Sequence, residues 1–413
     1  MTHEQDVDLD PRTRSVHREA CVFIGYTNPA MTFGKEAVSA AIFAERHPQM
    51  QGGLWNLRAG EAGMTALSVG VHTYCRDASP PPSGPVRAPV CSDEECVRMI
   101  LRFLDAVYEV IEDHDEETAV ARSVGEADRI VASGRMAIFI HLTGAWIGGD
   151  LAVLRCYHRL GVRAIHVCVE GLADIGDSSD VPPRHGGISD LGRHVVDEMN
   201  RLGMVIDVSH ASDEAARQIV ARSADPVVSS HTGCRSICDI NRNLPDDLIL
   251  AIAEKGGVIG MHFATSMLCP QAKDESGLYD HELVERLSRA ERELRRRYPD
   301  PYEYLHHRMT EQFAEMVNRE PAPASDRGSE IAPAAPGMDA VIRHIDHVVQ
   351  LTGIDHVGIG TDYDIGGPPQ GLEHAGKLAN LTGALLRHGH DEQAVEKMMG
   401  GNFRRVYEQV LDQ

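Results

Sequence analysis

Short apolar runs alternate with amphipathic segments along most of this chain. Eight runs of strand length are candidate β-strands, at residues 22–27, 63–74, 136–142, 163–169, 204–209, 226–230, 257–263 and 356–360. Segments with helical periodicity separate most of them, at residues 93–133, 150–161, 189–203, 212–223 and 245–256. Strands that alternate with helices in this way are typical of parallel sheets. Eight of them favour an α/β fold of the (β/α)8 TIM-type barrel class over an open sheet.

Histidines follow two consecutive candidate strands. His210 comes directly after residues 204–209, His231 comes directly after residues 226–230, and one helical segment lies between them. Consecutive parallel strands bring their C-terminal ends side by side, so the two imidazoles are expected to be neighbours. A single histidine at a strand end is more often a polar cap. Two in the same register favour a metal site.

Composition and charge narrow the class of protein. The chain has 413 residues, of which 42% are hydrophobic and 25% charged, as in ordinary globular proteins. We therefore expect a single barrel domain over residues 1–413. The formal net charge of −22, with no segregated basic face in the sequence, argues against a nucleic-acid partner.

The sequence also bears on location. Residues 1–15 are polar and lack the apolar core of a signal peptide, and no apolar run reaches membrane-spanning length. The nine cysteines are scattered, without the spacing of a disulfide scaffold or a zinc knuckle. We expect a cytoplasmic protein with free thiols and no membrane partner.

One long region interrupts the alternation of strands and helices. Residues 270–336 contain no strand candidate; two charged helical segments are followed by a linker rich in proline and alanine. This region is predicted to be a helical insertion in a βα loop, near the C-terminal third of the barrel. Such an insertion covers the active-site face, or is an exposed embellishment or a dimer contact.

Several motifs together resemble one enzyme family. They occupy residues 185–213, 226–247, 256–263, 356–364 and 381–408. In these segments, which are spread over most of the chain outside residues 270–336, the sequence resembles the renal (membrane) dipeptidase family of the amidohydrolase superfamily. The resemblance implies a (β/α)8 barrel, hydrolysis of dipeptides with two bridged zinc ions, and a homodimer.

The family pattern assigns roles to four residues. By this resemblance His210 and His231 bind one zinc ion. Asp362 binds the other zinc ion and moves the proton from the attacking water to the leaving amine. Arg242 stabilises developing negative charge or holds the substrate carboxylate. Neutral imidazoles bind zinc, and a carboxylate beside an activated water accepts its proton, so the residue types suit these roles.

Other ligand positions of the family pattern hold different residues here. The first-strand His-x-Asp ligands are replaced by Tyr26 and Asn28, and the bridging carboxylate is replaced by Thr143, or by Leu142 if the gap is placed differently. These side chains do not hold a second zinc, because the lost donors included the negative oxygens that such an ion needs. We expect at most one zinc ion, with Tyr26, Asn28 and Thr143 facing the substrate instead.

Three further residues are candidates to replace a lost ligand. His141 and Glu170 each lie one residue from a changed position, and His166 lies on the next strand. An offset of one residue in a strand turns a side chain to the other face, so His141 is expected to face the helices. A bulge at the strand end would reverse that orientation.

These residues leave three functions open. The first is a hydrolase of a dipeptide or dipeptide-like amide, with one metal ion on His210 and His231 and with Asp362 as general base. The second is a metal-poor tailoring enzyme that acts on a peptide or an amino-acid-derived metabolite. The third is a non-catalytic relative that binds a peptide or a partner enzyme. Metal analysis and a hydrolysis screen distinguish them.

Overall fold

The structure, a computed structural model, describes residues 9–27, 64–69, 93–169, 174–179, 183–269, 296–297, 337–362, 368–373 and 375–413. Nine β-strands lie in this part of the chain. They are β1 Phe23–Thr27, β2 Met64–Val69, β3 Thr118–Val120, β4 Met136–Leu142, β5 Val162–His166, β6 Val205–Asp207, β7 Val227–Thr232, β8 Val258–Met261 and β9 Val357–Ile359.

Twelve α-helices lie in the same described ranges. They are α1 Pro11–Glu19, α2 Asp93–Asp113, α3 Val124–Ala132, α4 Leu151–Arg159, α5 Asp190–Leu202, α6 Asp213–Arg222, α7 Asp246–Glu254, α8 Thr265–Leu268, α9 Asp339–Thr352, α10 Leu378–His388, α11 Glu392–Glu396 and α12 Asn402–Leu411. Short 3₁₀ helices at Ile354–His356 and Ala375–Lys377 precede β9 and α10, and a π-helical segment at Lys397–Gly401 connects α11 to α12.

Eight of the strands close into a parallel ring. The order is β2-β1-β9-β8-β7-β6-β5-β4, and β2 pairs again with β4, which closes the circle. The strand β3 pairs with the beginning of β4, outside the ring. This closed arrangement confirms the predicted (β/α)8 barrel. Because all eight strands run in one direction, their C-terminal ends share one rim, where enzymes of this fold place their active sites.

Successive side chains of each strand point alternately to the barrel axis and to the surrounding helices, which gives two apolar layers. The layer at the axis includes Phe23, Phe139 and Val205 together with Phe403 of α12. The aromatic ring of Phe403 closes the barrel from the end opposite the active-site rim. It lies so close to Gly358 that an added Cβ there would be 2.3 Å from the ring. Apolar side chains therefore fill the lower interior.

Local sequence sets where the helices between the strands begin. Ser189, Ser212 and Asp150 each stand at an N-cap, and each side chain accepts a hydrogen bond from a backbone N–H in the first turn. The helix α5 ends at Gly203, which adopts the left-handed conformation with φ 63°. These caps keep the connections between helices and strands short.

All eight candidate strands are confirmed, and the four helices predicted within residues 150–256 are present. The continuous helix predicted over residues 93–133 is wrong in its middle. There, α2 ends at Asp113, the strand β3 follows, and Ser123 caps α3. An acidic turn at residues 114–117 separates the two helices.

Three sequence predictions can be compared only with the described residues. The predicted insertion at residues 270–336 lies outside the described residues apart from residues 296–297. Within the described ranges, none of the helices combines the length and the apolar character needed to cross a membrane. The seven cysteines that are described are free thiols.

Candidate active site

Four predicted residues meet at the C-terminal rim of the barrel. The two Nε2 atoms of His210 and His231 are 3.1 Å apart. The Oδ2 atom of Asp362, just after β9, is 3.9 Å from Nε2 of His231. Arg242 reaches the same imidazole from the loop after β7, with Nη2 3.0 Å from Nε2. We call His210, His231 and Asp362 the outer group.

The backbone marks two members of the outer group. Among the described residues, His210 and Asp362 are the only ones other than glycine with a positive φ, at 71° and 44°. Such a conformation is disfavoured for residues with a Cβ, and the surrounding structure has to hold it in place. Both side chains are thereby turned toward the centre of the rim as the strands end.

The hydrogen bonds of His231 determine which ring nitrogen can bind an ion. The guanidinium of Arg242 donates to Nε2, so the ring proton is on Nδ1, 2.9 Å from the hydroxyl of Ser230. Burial, followed by the charge of Arg242 and the neighbouring His210, lowers the pKa of His231 well below its usual value. The ring is therefore neutral, and its Nε2 lone pair accepts the hydrogen bond from Arg242, which a metal ion bound to this nitrogen would displace.

Two separations around His231 are those expected around a transition metal. Bonds of about 2.0–2.1 Å in tetrahedral geometry separate the ligand atoms of zinc by roughly 3.3 Å. The separations of 3.1 Å to Nε2 of His210 and 3.9 Å to Oδ2 of Asp362 bracket that value. Among the described residues at this rim, the three whose ligand atoms all lie within 4.8 Å of one another are His231, Asp362 and His262. Two imidazoles and one carboxylate form a donor set that catalytic zinc sites use.

His262 also lies at this rim, directly after β8, although the sequence analysis did not single it out. Its Nδ1 accepts a hydrogen bond of 2.7 Å from the backbone N–H of Ala264. The ring proton is therefore on Nε2, which is 3.2 Å from Oδ2 of Asp362. A nitrogen that carries a proton cannot coordinate a metal, so His262 serves as a hydrogen-bond donor that orients the Asp362 carboxylate.

Two of the residues that replace family ligands are close neighbours. The hydroxyl oxygens of Tyr26 and Thr143 are 3.0 Å apart, and the ring of Tyr26 stacks on His231 with centroids 4.2 Å apart. Both residues are buried beside the outer group. Asn28, Glu170 and residues 363–367 lie outside the described residues.

Three more metal-binding side chains meet inside the barrel. Nε2 of His166 is 2.7 Å and Nε2 of His141 is 3.3 Å from Oδ2 of Asp207. We call these three residues the inner group. The expected orientation of His141 toward the helices is wrong. His141 lies two residues after Phe139 in β4, so both side chains face the barrel axis. The register between β4 and β5 shifts at His141.

Burial controls the charge of the inner group. All three side chains are fully buried. Burial and the neighbouring His166 lower the pKa of His141 to about 3, so its imidazole is neutral. Burial by itself opposes ionisation of Asp207, but His166, His141 and a hydrogen bond from Ser230 together lower its pKa below the usual range. The group is therefore an ionised carboxylate that faces two imidazoles.

Two of the residues above, Asp207 and His262, lie within the family motifs at residues 185–213 and 256–263 but were not predicted as site residues. Asp207 belongs to the strand that precedes His210. It points to the axis because it lies two residues after the axis-facing Val205 and therefore on the same face of the strand. His262 follows its strand as His210 follows β6. The rule that identified His210 and His231, a histidine at the end of a parallel strand, also applied to His262.

Comparison with known proteins shows the family. The family described as membrane dipeptidase, peptidase family M19, matches residues 11–413. The chain is 28% identical over 319 residues to "Dipeptidase verJ" of Clonostachys rogersoniana, covering 76% of this chain and 66% of that protein. It is 27% identical over 325 residues to "Dipeptidase 3" of Rattus norvegicus, covering 77% and 53%. The match thus spans less than two thirds of the length of these relatives.

Solved structures support the same fold. A crystal structure of the probable dipeptidase PvdM from Pseudomonas aeruginosa has a TM-score of 0.73 at 24% identity and covers 97% of this chain and 98% of that chain. A metallo peptidase from Rhodobacter sphaeroides, liganded with a phosphinate mimic of the dipeptide L-Ala-D-Ala, has a TM-score of 0.67 at 22% identity and covers 95% and 99%.

Proposed function

This chain belongs to the membrane dipeptidase family, peptidase family M19, and from that premise we propose that it hydrolyses the amide bond of a dipeptide or a dipeptide-like compound. One observation carries the proposal. The outer group and Arg242 meet at the C-terminal rim, where a metal-binding set, a carboxylate base and a fixed positive charge lie within one another's reach. Amide hydrolysis needs these three elements together.

The family is metal-dependent, and the described residues contain candidate metal-binding groups. We infer that His210, His231 and Asp362 hold one ion, and that this ion is zinc. When bound, zinc would act as a Lewis acid at this rim. The bridged pair of the family is not expected, because Tyr26 and Thr143 stand at two of the positions that would supply its other ligands.

The side chains of the outer site divide the remaining work. Asp362 accepts the proton of the attacking water and delivers it to the leaving amine, and His262 keeps the carboxylate in position for both transfers. Arg242 pairs with an anionic group of the ligand, since a guanidinium binds a carboxylate through two hydrogen bonds. Tyr26 and Thr143, buried beside the outer group, contact the substrate there.

The relatives support a small peptide as substrate. The fungal and rat proteins are named dipeptidases, and the Rhodobacter sphaeroides structure holds a mimic of a dipeptide. A second candidate is a metal-poor tailoring reaction on a peptide or an amino-acid-derived metabolite. The hydrogen-bonded Tyr26–Thr143 pair favours it, because it fills ligand positions with groups that can bind and orient a substrate without a metal.

The test is hydrolysis of a dipeptide panel by the purified chain supplied with zinc. Activity that disappears in Asp362→Asn, with the fold retained, supports the proposal. If wild-type protein binds dipeptides without cleaving them, the tailoring enzyme or the non-catalytic relative replaces it. The family resemblance also predicts a homodimer, which light scattering after gel filtration checks. Fractionation of the native host checks the cytoplasmic location expected from composition.

A further inference from the structure

The inner group forms a second metal-binding set that is separate from the outer group. We propose that His141, His166 and Asp207 bind a divalent transition metal of their own, in the interior of the barrel below the rim. None of these residues corresponds to a ligand position of the family pattern considered above. The proposal goes beyond the proposed hydrolysis, and it raises the expected metal content from one ion to two.

The donor set is the first argument. Two imidazole nitrogens and one carboxylate oxygen converge, and the three ligand atoms lie within 4.8 Å of one another. Two histidines and one carboxylate suit zinc and iron(II) among the first-row metals. Both ring nitrogens of His141 are buried without a hydrogen-bond partner, so this side chain is directed at Asp207 with its coordination capacity unused.

The charge of Asp207 is the second argument. Its side chain is fully buried, and the ion pairs it makes with other described residues are with imidazoles alone. A buried carboxylate needs a compensating positive charge. A divalent ion at this point supplies it and, because neutral imidazoles add no charge, leaves the centre with a net charge of about +1.

The way the carboxylate is held is the third argument. The backbone N–H groups of Ser209 and Ser230 donate to Oδ1 of Asp207 over 2.9 Å and 3.1 Å. These bonds fix the plane of the carboxylate and direct Oδ2 toward the two imidazoles. Hydrogen bonds that orient a ligand in this way are typical of protein metal sites.

The placement on the barrel is the fourth argument. His141, His166 and Asp207 lie on β4, β5 and β6, which are adjacent strands of the ring. Their alternation with axis-facing residues points all three to the interior. Strands of a closed barrel are rigid, so the site is preorganised for an ion. Thr143, at the position of the lost bridging carboxylate, is two residues beyond His141 on the same face.

The alternative to a metal site is a hydrogen-bonded arrangement of the inner group, in which protons connect the imidazoles to the carboxylate. In it, both Nε2 atoms carry hydrogen and donate to Oδ2 of Asp207, which the separations of 2.7 Å and 3.3 Å permit. That arrangement leaves the Nδ1 lone pairs of His141 and His166 buried without a hydrogen-bond partner among the described residues, and metal binding through Nε2 leaves the Nδ1 protons buried in the same way. Metal content distinguishes the two.

The experiment measures zinc by mass spectrometry in full-length protein that has been dialysed against zinc and then against buffer. The outer variant carries His210→Gln and His231→Gln, and the inner variant carries His141→Gln and His166→Gln. We expect two zinc ions per chain in the wild type and one in each variant. Because its donors are fully buried, the ion left in the outer variant should be removed by EDTA more slowly than the first ion of the wild type.

The outer variant is tested first, since it leaves the inner residues unchanged, and the inner variant then locates the remaining ion. If it holds no zinc, the proposal is overturned and the inner group is a hydrogen-bonded network. If it holds one ion and a folded inner variant still holds two, that ion lies elsewhere and the proposal is again overturned. Circular dichroism checks the fold. If the inner variant fails to fold, Asp207→Asn in the outer variant takes its place, and loss of the remaining ion supports the site.

Discussion

At the scale of single residues, hydrogen bonds decide what each side chain of the rim can do. Arg242 directs the proton of His231 away from the site, and the amide of Ala264 directs the proton of His262 toward Asp362. Two histidines on neighbouring strands therefore have opposite tautomers. The Nε2 of His231 has a lone pair, which accepts a hydrogen bond from Arg242, and the Nε2 of His262 has a proton, which it donates to a carboxylate.

The first prediction concerns the arginine at the rim. Arg242→Ala should raise KM for a dipeptide by roughly 10–100-fold, because it removes a charged hydrogen bond worth about 1.5–3 kcal/mol. Its matched control is Arg222→Ala. Arg222 of α6 pairs with Asp197 of α5 through two hydrogen bonds between outer helices, so this change should lower the melting temperature and leave KM nearly unchanged. The reverse pattern for the two variants would mean that Arg242 is structural.

The second prediction concerns the orientation of Asp362. His262→Phe removes the proton donor while keeping a ring, and it should lower kcat by roughly 10–100-fold, as is usual for residues that orient a ligand. His262→Asn keeps a donor and should recover part of the loss. The acid limb of the kcat profile should shift in the Phe variant, because the carboxylate loses a hydrogen bond to its ionised form. An unchanged profile with equal stability loss in both variants would contradict this role.

At the scale of secondary-structure elements, buried polar contacts attach the outer helices to the barrel. His344 of α9 accepts a hydrogen bond from the backbone N–H of Cys234 and donates one to the carbonyl of Leu268. It thereby links α9 to the loop after β7 and to α8. Burial lowers the pKa of His344 to about 4, so the native ring is neutral.

The third prediction follows from that neutral ring. The unfolded chain binds a proton at His344 below about pH 6.5, whereas the native state does so only near pH 4, so stability falls as pH decreases through this window. The loss attributable to His344 approaches roughly 3 kcal/mol. His344→Gln preserves both hydrogen bonds and should show a shallower decline of the unfolding free energy between pH 7 and pH 4.5. The exposed His194→Gln is the control, and its decline should match that of the wild type.

At the scale of the whole molecule, the barrel holds apolar side chains at one end and ionisable ones at the other. Phe403 of the C-terminal helix fills the lower interior, and the inner and outer groups occupy the interior above it. Tyr26 lies among the imidazoles, with ring contacts to His141, His166 and His231. The two groups are therefore parts of one continuous polar interior.

The fourth prediction tests whether the barrel has kept the geometry of the family. Tyr26→His, Asn28→Asp and Thr143→Glu together should add one zinc ion per chain beyond the wild-type content. Each change alone should add none, since a second ion at the rim needs all three ligands beside Asp362. Stability should fall without metal, because new polar groups are buried. A folded triple variant with wild-type zinc content would show that the pocket is remodelled beyond the identity of its ligands.

The sequence alone determined the fold class and four residues of the rim, His210, His231, Arg242 and Asp362. Hydrophobic periodicity is a local property, so eight strands and most of the intervening helices could be predicted from it. A histidine directly after a predicted parallel strand can likewise be recognised in the sequence, and parallel strands place it at the rim. Helix boundaries in residues 93–133 were less accessible, because the break depends on a short strand that is stable only when paired with β4.

Tertiary structure decided the facing of side chains and their protonation. The orientation of His141 depended on the register between neighbouring strands, and the partnership of Asp207 with His166 depended on strands that are far apart along the chain. The tautomers of His231 and His262 depended on donors that the fold brings to one nitrogen of each ring. The facing of a side chain and the position of its proton both depend on three-dimensional contacts. For this reason the inner group could be located only in the folded barrel.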